Sequence, residues 1–145
     1  MKILAVDPGE KRIGIAISDP TGTIANPLTI IEHVSRPIDA THIAQIAREH
    51  DIGLIVVGQA LDAEEKPTFQ GRRASRLMTA IQAESSVPVV LWDESSSTQI
   101  ARAARLALGV RRKKRRGHLD DLAATVILQT FLDSEQAKEN QRGLS

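Results

Sequence analysis

The sequence contains no cysteine, and this absence removes several kinds of chemistry at once. Disulfide bonds, thiolate metal sites and a cysteine nucleophile are excluded, and a reducing, cytoplasmic environment fits the composition. Long apolar runs are missing too, so we expect no membrane-spanning segment and no membrane partner. The N-terminus begins directly with a predicted strand and lacks the features of a secretory signal.

Aromatic residues are scarce, since the chain has one Trp, two Phe and no Tyr. Base-stacking platforms of the RRM or OB type need several exposed rings, so this mode of nucleic-acid recognition is disfavoured. Any nucleic acid bound by this chain would be held through its phosphates.

Positive charge is concentrated in one place, although the net charge is only +1. Six of the 19 Lys and Arg residues stand in one run, so 13 remain elsewhere against 18 acidic residues. The run consists of Arg111, Arg112, Lys113, Lys114, Arg115 and Arg116. Such a block is typical either of a solvated loop or of a segment that contacts a polyanion, and both interpretations stay open.

Apolar runs bounded by turn signals predict five strands, over 2–7, 13–18, 24–31, 54–58 and 87–92. The first three are joined by short connections and therefore form an antiparallel meander. Pro27 within the third run indicates the edge of a sheet. Segments whose apolar residues recur at helical spacing separate the later strands, which predicts two parallel crossovers.

Helical periodicity appears around 38–50, 74–81, 100–107 and 119–133. The expected fold is therefore an α/β domain, with a mixed five-stranded sheet flanked by helices on both faces. We expect a single domain over residues 1–133 and a polar, flexible tail over 134–145.

Acidic residues directly follow two of the apolar strands, at Asp7 and at Asp93–Glu94. If these strands are parallel, the acids lie at the carboxyl edge of the sheet, where open α/β sheets form their ligand sites. Each acid also has an ordinary explanation, because Asp favours turns and a polar pair suits a solvated loop.

Asp120 lies near the start of the last predicted helix and shares one helical face with Ala124, Ile127 and Phe131. An acid at the head of an apolar stripe should face the sheet, and Asp121 lies about a quarter-turn away. The alternative is a helix N-cap or first-turn acid.

Carboxylates that converge repel one another unless a cation lies between them. Oxygen ligands without cysteine favour Mg²⁺ or Mn²⁺, and two such ions suit phosphodiester cleavage. Lys11 and Arg12 follow the first strand and could contact a phosphate near Asp7, although solvated turn residues are the commoner explanation.

Four segments of the chain resemble the YqgF (RuvX) family of RNase H-like nucleases. The strongest is 7–20, which reads DPGEKRIGIAISDP, and the others are 56–58, 89–98 and 120–129. The resemblance extends over roughly residues 3–133. It departs from the family pattern at Gln59 and Ala60, where G-L-P is usual, and at Ser95, where an Arg is usual.

The resemblance implies an RNase H-like fold in which Asp7, Glu94 and Asp120 bind the metal ions and carry catalysis. It also implies a metal-dependent endonuclease that acts on structured RNA, in 5′-end processing of pre-16S rRNA. Branched DNA is the alternative substrate, in Holliday junction resolution. The basic run falls where the family has a Lys/Arg-rich segment.

Two other functions remain as alternatives. The Asp7-Pro8-Gly9 segment also resembles the phosphate loop of actin-like and sugar-kinase-like folds, which would imply nucleotide binding, although one chain of this length lacks the second lobe. The Ser95 substitution is compatible with a non-catalytic module that binds nucleic acid. The sequence leaves the choice between monomer and homodimer open.

Overall fold

The computed structural model describes residues 1–60, 64, 66, 68–93 and 119–143 of the 145-residue chain. In this part of the chain, one mixed sheet of five strands is covered by three helices. The strands are β1 (Lys2–Pro8), β2 (Arg12–Ser18), β3 (Ala25–Glu32), β4 (Ile52–Gln59) and β5 (Val89–Asp93). The helices are α1 (Arg36–Glu49), α2 (Phe69–Glu84) and α3 (Leu119–Gly143).

The strands are arranged in the order β3-β2-β1-β4-β5. β1, β2 and β3 pair antiparallel, whereas β4 is parallel to both β1 and β5. The predicted meander with two parallel crossovers is therefore confirmed, and Pro27 lies in the edge strand β3 as expected. β1, β4 and β5 all end at the same side of the sheet, which we call the carboxyl edge.

Side chains alternate between two buried faces along the central strands. Leu4 and Val6 of β1 pack in one core with residues of α1 and α2, such as Ile43 and Leu77. This side of the sheet is called the α1–α2 face. Ile3 and Ala5 of the same strand pack in a second core, on the α3 face. That core includes Ala124, Ile127, Leu128, Phe131 and Leu132 from α3.

The end of β4 is connected to the start of α2 through Gln59, which is 9% exposed. Its side-chain amide donates to the carbonyl of Gly71 at 3.1 Å and to Ser75 Oγ at 2.8 Å. Thr68 caps the helix by accepting from the Gly71 N–H at 3.0 Å. Gln59, one of the departures from the family pattern, therefore stabilises the β4–α2 connection.

Polar contacts fix α3 on the sheet at both flanks of its apolar stripe. Gln129 accepts from the Ala25 N–H at 3.0 Å and donates to the Thr23 carbonyl at 3.1 Å. On the other flank, the Trp92 indole N–H donates to Thr130 Oγ1 at 2.9 Å. The Trp92 ring meets Phe131 edge to face, with centroids 5.4 Å apart. These contacts define the position of α3 across the sheet.

The last helix ends at Gly143 instead of at residue 133. Residues 134–142 contain no Pro or Gly, and most of them are good helix formers. Lys138 also pairs with Glu135 at 3.3 Å, one turn earlier. The apolar stripe ends near Leu132, so the hydrophobic periodicity alone predicted too early an end for the helix. The helix predicted around 100–107 lies outside the described residues.

In the described residues, no helix combines the length and the apolar character needed to cross a membrane.

Candidate active site at the carboxyl edge

Asp7 is the described residue on which the predicted site depends. It belongs to β1 and lies opposite Gly14 of β2, one residue before the strand ends. Its side chain is partly buried, and alternation along β1 puts it on the α3 face with Ile3 and Ala5. A carboxylate in this position is close to the core but reachable from the carboxyl edge.

Three neighbouring strands contribute one position each to a row at this edge. Val6 lies opposite Val57, so Asp7 and Gly58 occupy the next positions of β1 and β4. Gly58 in turn lies opposite Trp92 of β5, whose side chain packs on the α3 face. Asp7, Gly58 and Trp92 therefore form a row beneath α3.

Gly58 leaves the space into which α3 packs. A Cβ atom at this position would lie 2.7 Å from Cδ1 of Ile127, which is inside van der Waals contact. Because Ile127 is only 1% exposed, its side chain has little room to move. The glycine thus brings α3 close to the end of β4, beside Asp7.

The predicted apolar stripe of the last helix is confirmed. Ala124, Ile127 and Phe131 are 0%, 1% and 7% exposed, and all three belong to the core on the α3 face. Asp120 lies in the first turn of this helix, two turns or about 10 Å along the axis before Ile127. Its side chain lies outside the described part of the structure.

Of the two acids at the end of β5, Asp93 is on the wrong side of the sheet to meet Asp7. It alternates in step with Val89 and Leu91, which pack on the α1–α2 face. The sequence alone does not show this parity, because all four residues before Asp93 in the strand are apolar and only their packing separates the two faces. Glu94, the other predicted acid, lies outside the described residues.

The cations predicted to meet phosphate near Asp7 lie at the end of the turn after β1 and at the first position of β2. Lys11 and Arg12 are exposed, and the Lys11 carbonyl accepts from the His33 N–H at 2.9 Å. At Gly9 a Cβ atom would lie 2.3 Å from the Arg12 carbonyl oxygen, so only glycine fits this tight turn. The basic run, Arg111 to Arg116, lies outside the described residues.

Asp19, in the 7–20 segment, has a structural function. Its carboxylate accepts from the N–H groups of Ile24 and Thr23, at 2.9 and 2.8 Å, and from the Thr21 hydroxyl. These hydrogen bonds, with that from Ile24 the strongest influence, hold the pKa of Asp19 well below its usual value. Asp19 therefore organises the β2–β3 turn.

Among the side chains that the structure describes, no three His, Cys, Asp or Glu residues are grouped so that they could hold a metal ion. Two of the three predicted ligands, Glu94 and the Asp120 side chain, are not among them.

Comparison with solved structures identifies the class of fold. The chain is similar to Thermus thermophilus RuvC in complex with Holliday junction substrate, with a TM-score of 0.60, 13% identity and coverage of 94% of this chain and 96% of that one. It is also similar to the fowlpox virus resolvase in complex with junction DNA, with a TM-score of 0.54, 13% identity and coverage of 92% and 98%. The expected RNase H-like fold, shared with these resolvases, is confirmed.

The sequence relationships are more specific. The family model RuvX, described as Holliday junction resolvase, matches residues 1–134. A protein of Thermoanaerobacter pseudethanolicus named "Putative pre-16S rRNA nuclease" is 38% identical over 95% of this chain and 100% of its own length. One of Syntrophus aciditrophicus with the same name is 38% identical over 92% of this chain and 89% of its own length. The chain belongs to the RuvX family, a family of nucleases, as its motifs predicted.

Proposed function

We propose that this protein is a metal-dependent endonuclease that hydrolyses phosphodiester bonds in structured RNA and processes the 5′ end of pre-16S rRNA. The observation that carries the proposal is the position of Asp7, partly buried at the carboxyl edge beneath α3. The names of the relatives support the choice of substrate. A role in rRNA maturation implies a cytoplasmic location.

The proposed catalytic acids are Asp7, Glu94 and Asp120. Asp7 contributes from β1, and the close packing of Ile127 on Gly58 supports the approach of the first turn of α3 to the same edge. Asp93 is excluded by its position on the α1–α2 face, which favours Glu94 as the acid from the end of β5.

This donor set fits Mg²⁺ or Mn²⁺, because it offers carboxylate oxygens and the chain has no thiol ligands. Bound there, such ions would activate a water molecule and stabilise the departing oxygen. The protein would contribute a fixed position for Asp7, held on both sides by paired strands. Lys11, Arg12 and the basic run, Arg111 to Arg116, would bind the phosphates of the strand.

The test is cleavage of a pre-16S rRNA fragment by the full chain with Mg²⁺ or Mn²⁺. Asp7→Asn keeps the shape of the side chain but removes the anionic ligand, so we expect a loss of at least about a hundredfold in rate. Asp93→Asn is the matched control, since it makes the same change on the other face of the sheet. Cleavage that is equally sensitive to both substitutions, or to neither, would contradict the proposed site.

Holliday junction cleavage is the second candidate, and the description of the matching family favours it. A four-way junction has two-fold character, so this function requires two sites and predicts a dimer. Sedimentation with and without junction DNA, together with cleavage of both substrates, distinguishes the two functions. RNA binding without cleavage by either the unaltered chain or Asp7→Asn would instead favour a non-catalytic module.

A further inference from the structure

A cleft opens on the α1–α2 face, directly behind the position of Asp7. Its volume is about 390 Å³, and its wall includes Pro8 and Gly9. Pro8 follows Asp7 in β1 and therefore projects to the opposite face of the sheet. The cleft and Asp7 thus share one strand end, with Cα atoms of consecutive residues about 3.8 Å apart.

The polar wall of this cleft is mainly cationic. Arg36, at the start of α1, and Arg73, in the first turns of α2, both line it; Arg36 is exposed, whereas Arg73 is partly buried. His33 lines it as well. We call it the Arg36–Arg73 cleft. Two arginines from different helices therefore line one space, which is large enough for a phosphate group.

Asp39 is the acid of the cleft, and its carboxylate is already engaged. The residue is 3% exposed, accepts a hydrogen bond from the Val34 N–H at 3.1 Å and is paired with Nδ1 of His33. This pairing orients the imidazole ring. In the described residues, Nε2 of His33 has no hydrogen-bond partner, so the ring keeps one nitrogen for a ligand.

Glu10 is the nearest competitor for Arg73. Its Oε1 lies 3.9 Å from Nη2 of Arg73, at the limit of an ion pair, and its side chain is 64% exposed. Exposed pairs of this kind contribute about 0–1 kcal/mol, so a phosphate with bidentate geometry can displace the carboxylate.

We propose that the Arg36–Arg73 cleft binds an internal phosphodiester of the nucleic-acid strand whose scissile bond lies at Asp7. The inference rests on the proposed nuclease function and adds a phosphate subsite on the other face of the sheet. Arginine suits this role because its planar fork donates two parallel hydrogen bonds to phosphate oxygens. Such a contact fixes the position of the strand without reading its sequence.

The experiment measures binding of a fluorescent single-stranded RNA to the full chain as a function of salt, with Asp7→Asn present throughout to prevent cleavage. Loss of one phosphate contact should reduce the slope of log K against log salt by about 0.7. We therefore expect Arg73→Gln to weaken binding about tenfold and to lower the slope by this amount. Arg36→Gln should have the same effect.

Arg72→Gln is the matched control, because Arg72 is the exposed neighbour of Arg73 on α2 and does not line the cleft. It should leave the salt slope unchanged. Glu10→Gln removes the competing carboxylate and should tighten binding about two- to fivefold. Circular dichroism checks that each variant is folded. Equal slopes for Arg73→Gln and Arg72→Gln would overturn the proposal.

Two oligonucleotides, with a 5′-hydroxyl or a 5′-phosphate, distinguish an internal from a terminal phosphate. Equal affinities support the internal phosphodiester. A preference for the 5′-phosphate that Arg73→Gln abolishes would overturn that assignment and indicate a pocket for a strand end. Cleavage by Asp7→Asn at the rate of the unaltered chain would refute only the nuclease site. The cleft would still be tested, because binding can then be measured without divalent ions.

Discussion

Gly58→Ala tests whether close packing between β4 and α3 positions the site. The new Cβ atom would lie 2.7 Å from Cδ1 of Ile127, whereas the next two atoms of that side chain are 3.5 and 3.7 Å away. The clash therefore involves one methyl group. Overpacking of this kind costs about 1–3 kcal/mol, and the reduced entropy of the unfolded chain returns about 0.4–1 kcal/mol. We expect a net loss of about 1–2 kcal/mol in unfolding free energy.

Ile127→Val removes the clashing Cδ1 methyl group. The two remaining γ carbons lie at ordinary van der Waals distances from the new Cβ atom. Alone, this substitution should cost about 0.5–1.5 kcal/mol, because it deletes a buried methylene. Combined with Gly58→Ala, it relieves the clash, so the double variant should be more stable than the sum of the single effects by about 1 kcal/mol.

Urea denaturation followed by Trp92 fluorescence is the assay. Trp92 is the only tryptophan of the chain and contacts Thr130 and Phe131 of α3, so it reports on this interface. Strictly additive effects of the two substitutions would refute the tight Gly58–Ile127 contact. If the packing also positions Asp120, the cleavage rate of Gly58→Ala should recover in the double variant.

Three further predictions concern the elements that support the site. Gln59→Leu removes both hydrogen bonds to α2 and should lower the unfolding free energy by about 1–3 kcal/mol in urea denaturation. Gln129→Ala removes the hydrogen bonds from α3 to the Ala25 N–H and the Thr23 carbonyl. Amide hydrogen exchange at the start of β3 should therefore become faster. The pKa of Asp19 is lowered in the folded state. The stabilisation that Asp19 contributes is therefore complete above pH 3.8, the ordinary pKa of the side chain, and is lost as the pH falls below that value. Acid denaturation of Asp19→Asn should therefore show a shallower fall in stability below about pH 4 than the unaltered chain.

The strands and the directions of their pairing were predictable, because each strand carries its own local signal and the length of each connection distinguishes a hairpin from a crossover. Continuous apolar runs such as 54–58 mark buried parallel strands, and Pro27 marks the edge strand. The length of α3 was not predictable from periodicity, since residues 134–141 are mostly polar and mostly exposed. Their helical state depends on propensity and on the turns that precede them.

The Arg36–Arg73 cleft left no recognisable pattern in the sequence. His33 and Asp39 are six residues apart, across the end of β3 and the start of α1, and no regular element pairs residues at that spacing. Arg73 comes from a different helix altogether. The predicted acids of the site, by contrast, either follow the end of an apolar strand or precede the apolar stripe of a helix. Sequence reasoning therefore finds groups that regular elements align, and misses those that only the packing of two helices brings together.

This difference explains why the choice between Asp93 and Glu94 required the three-dimensional structure of the sheet. Both acids follow the same apolar run, and only the parity of β5 separates them. Trp92 packs on the α3 face and hydrogen-bonds to Thr130, which fixes that parity and sends Asp93 to the opposite face. A Trp92→Phe variant keeps an aromatic side chain on the α3 face but loses this hydrogen bond, so it should lower the unfolding free energy by at least about 0.5–1.5 kcal/mol while the parity of β5 is kept. If Asp93→Asn became as damaging as Asp7→Asn in that variant, the assignment of faces would be wrong.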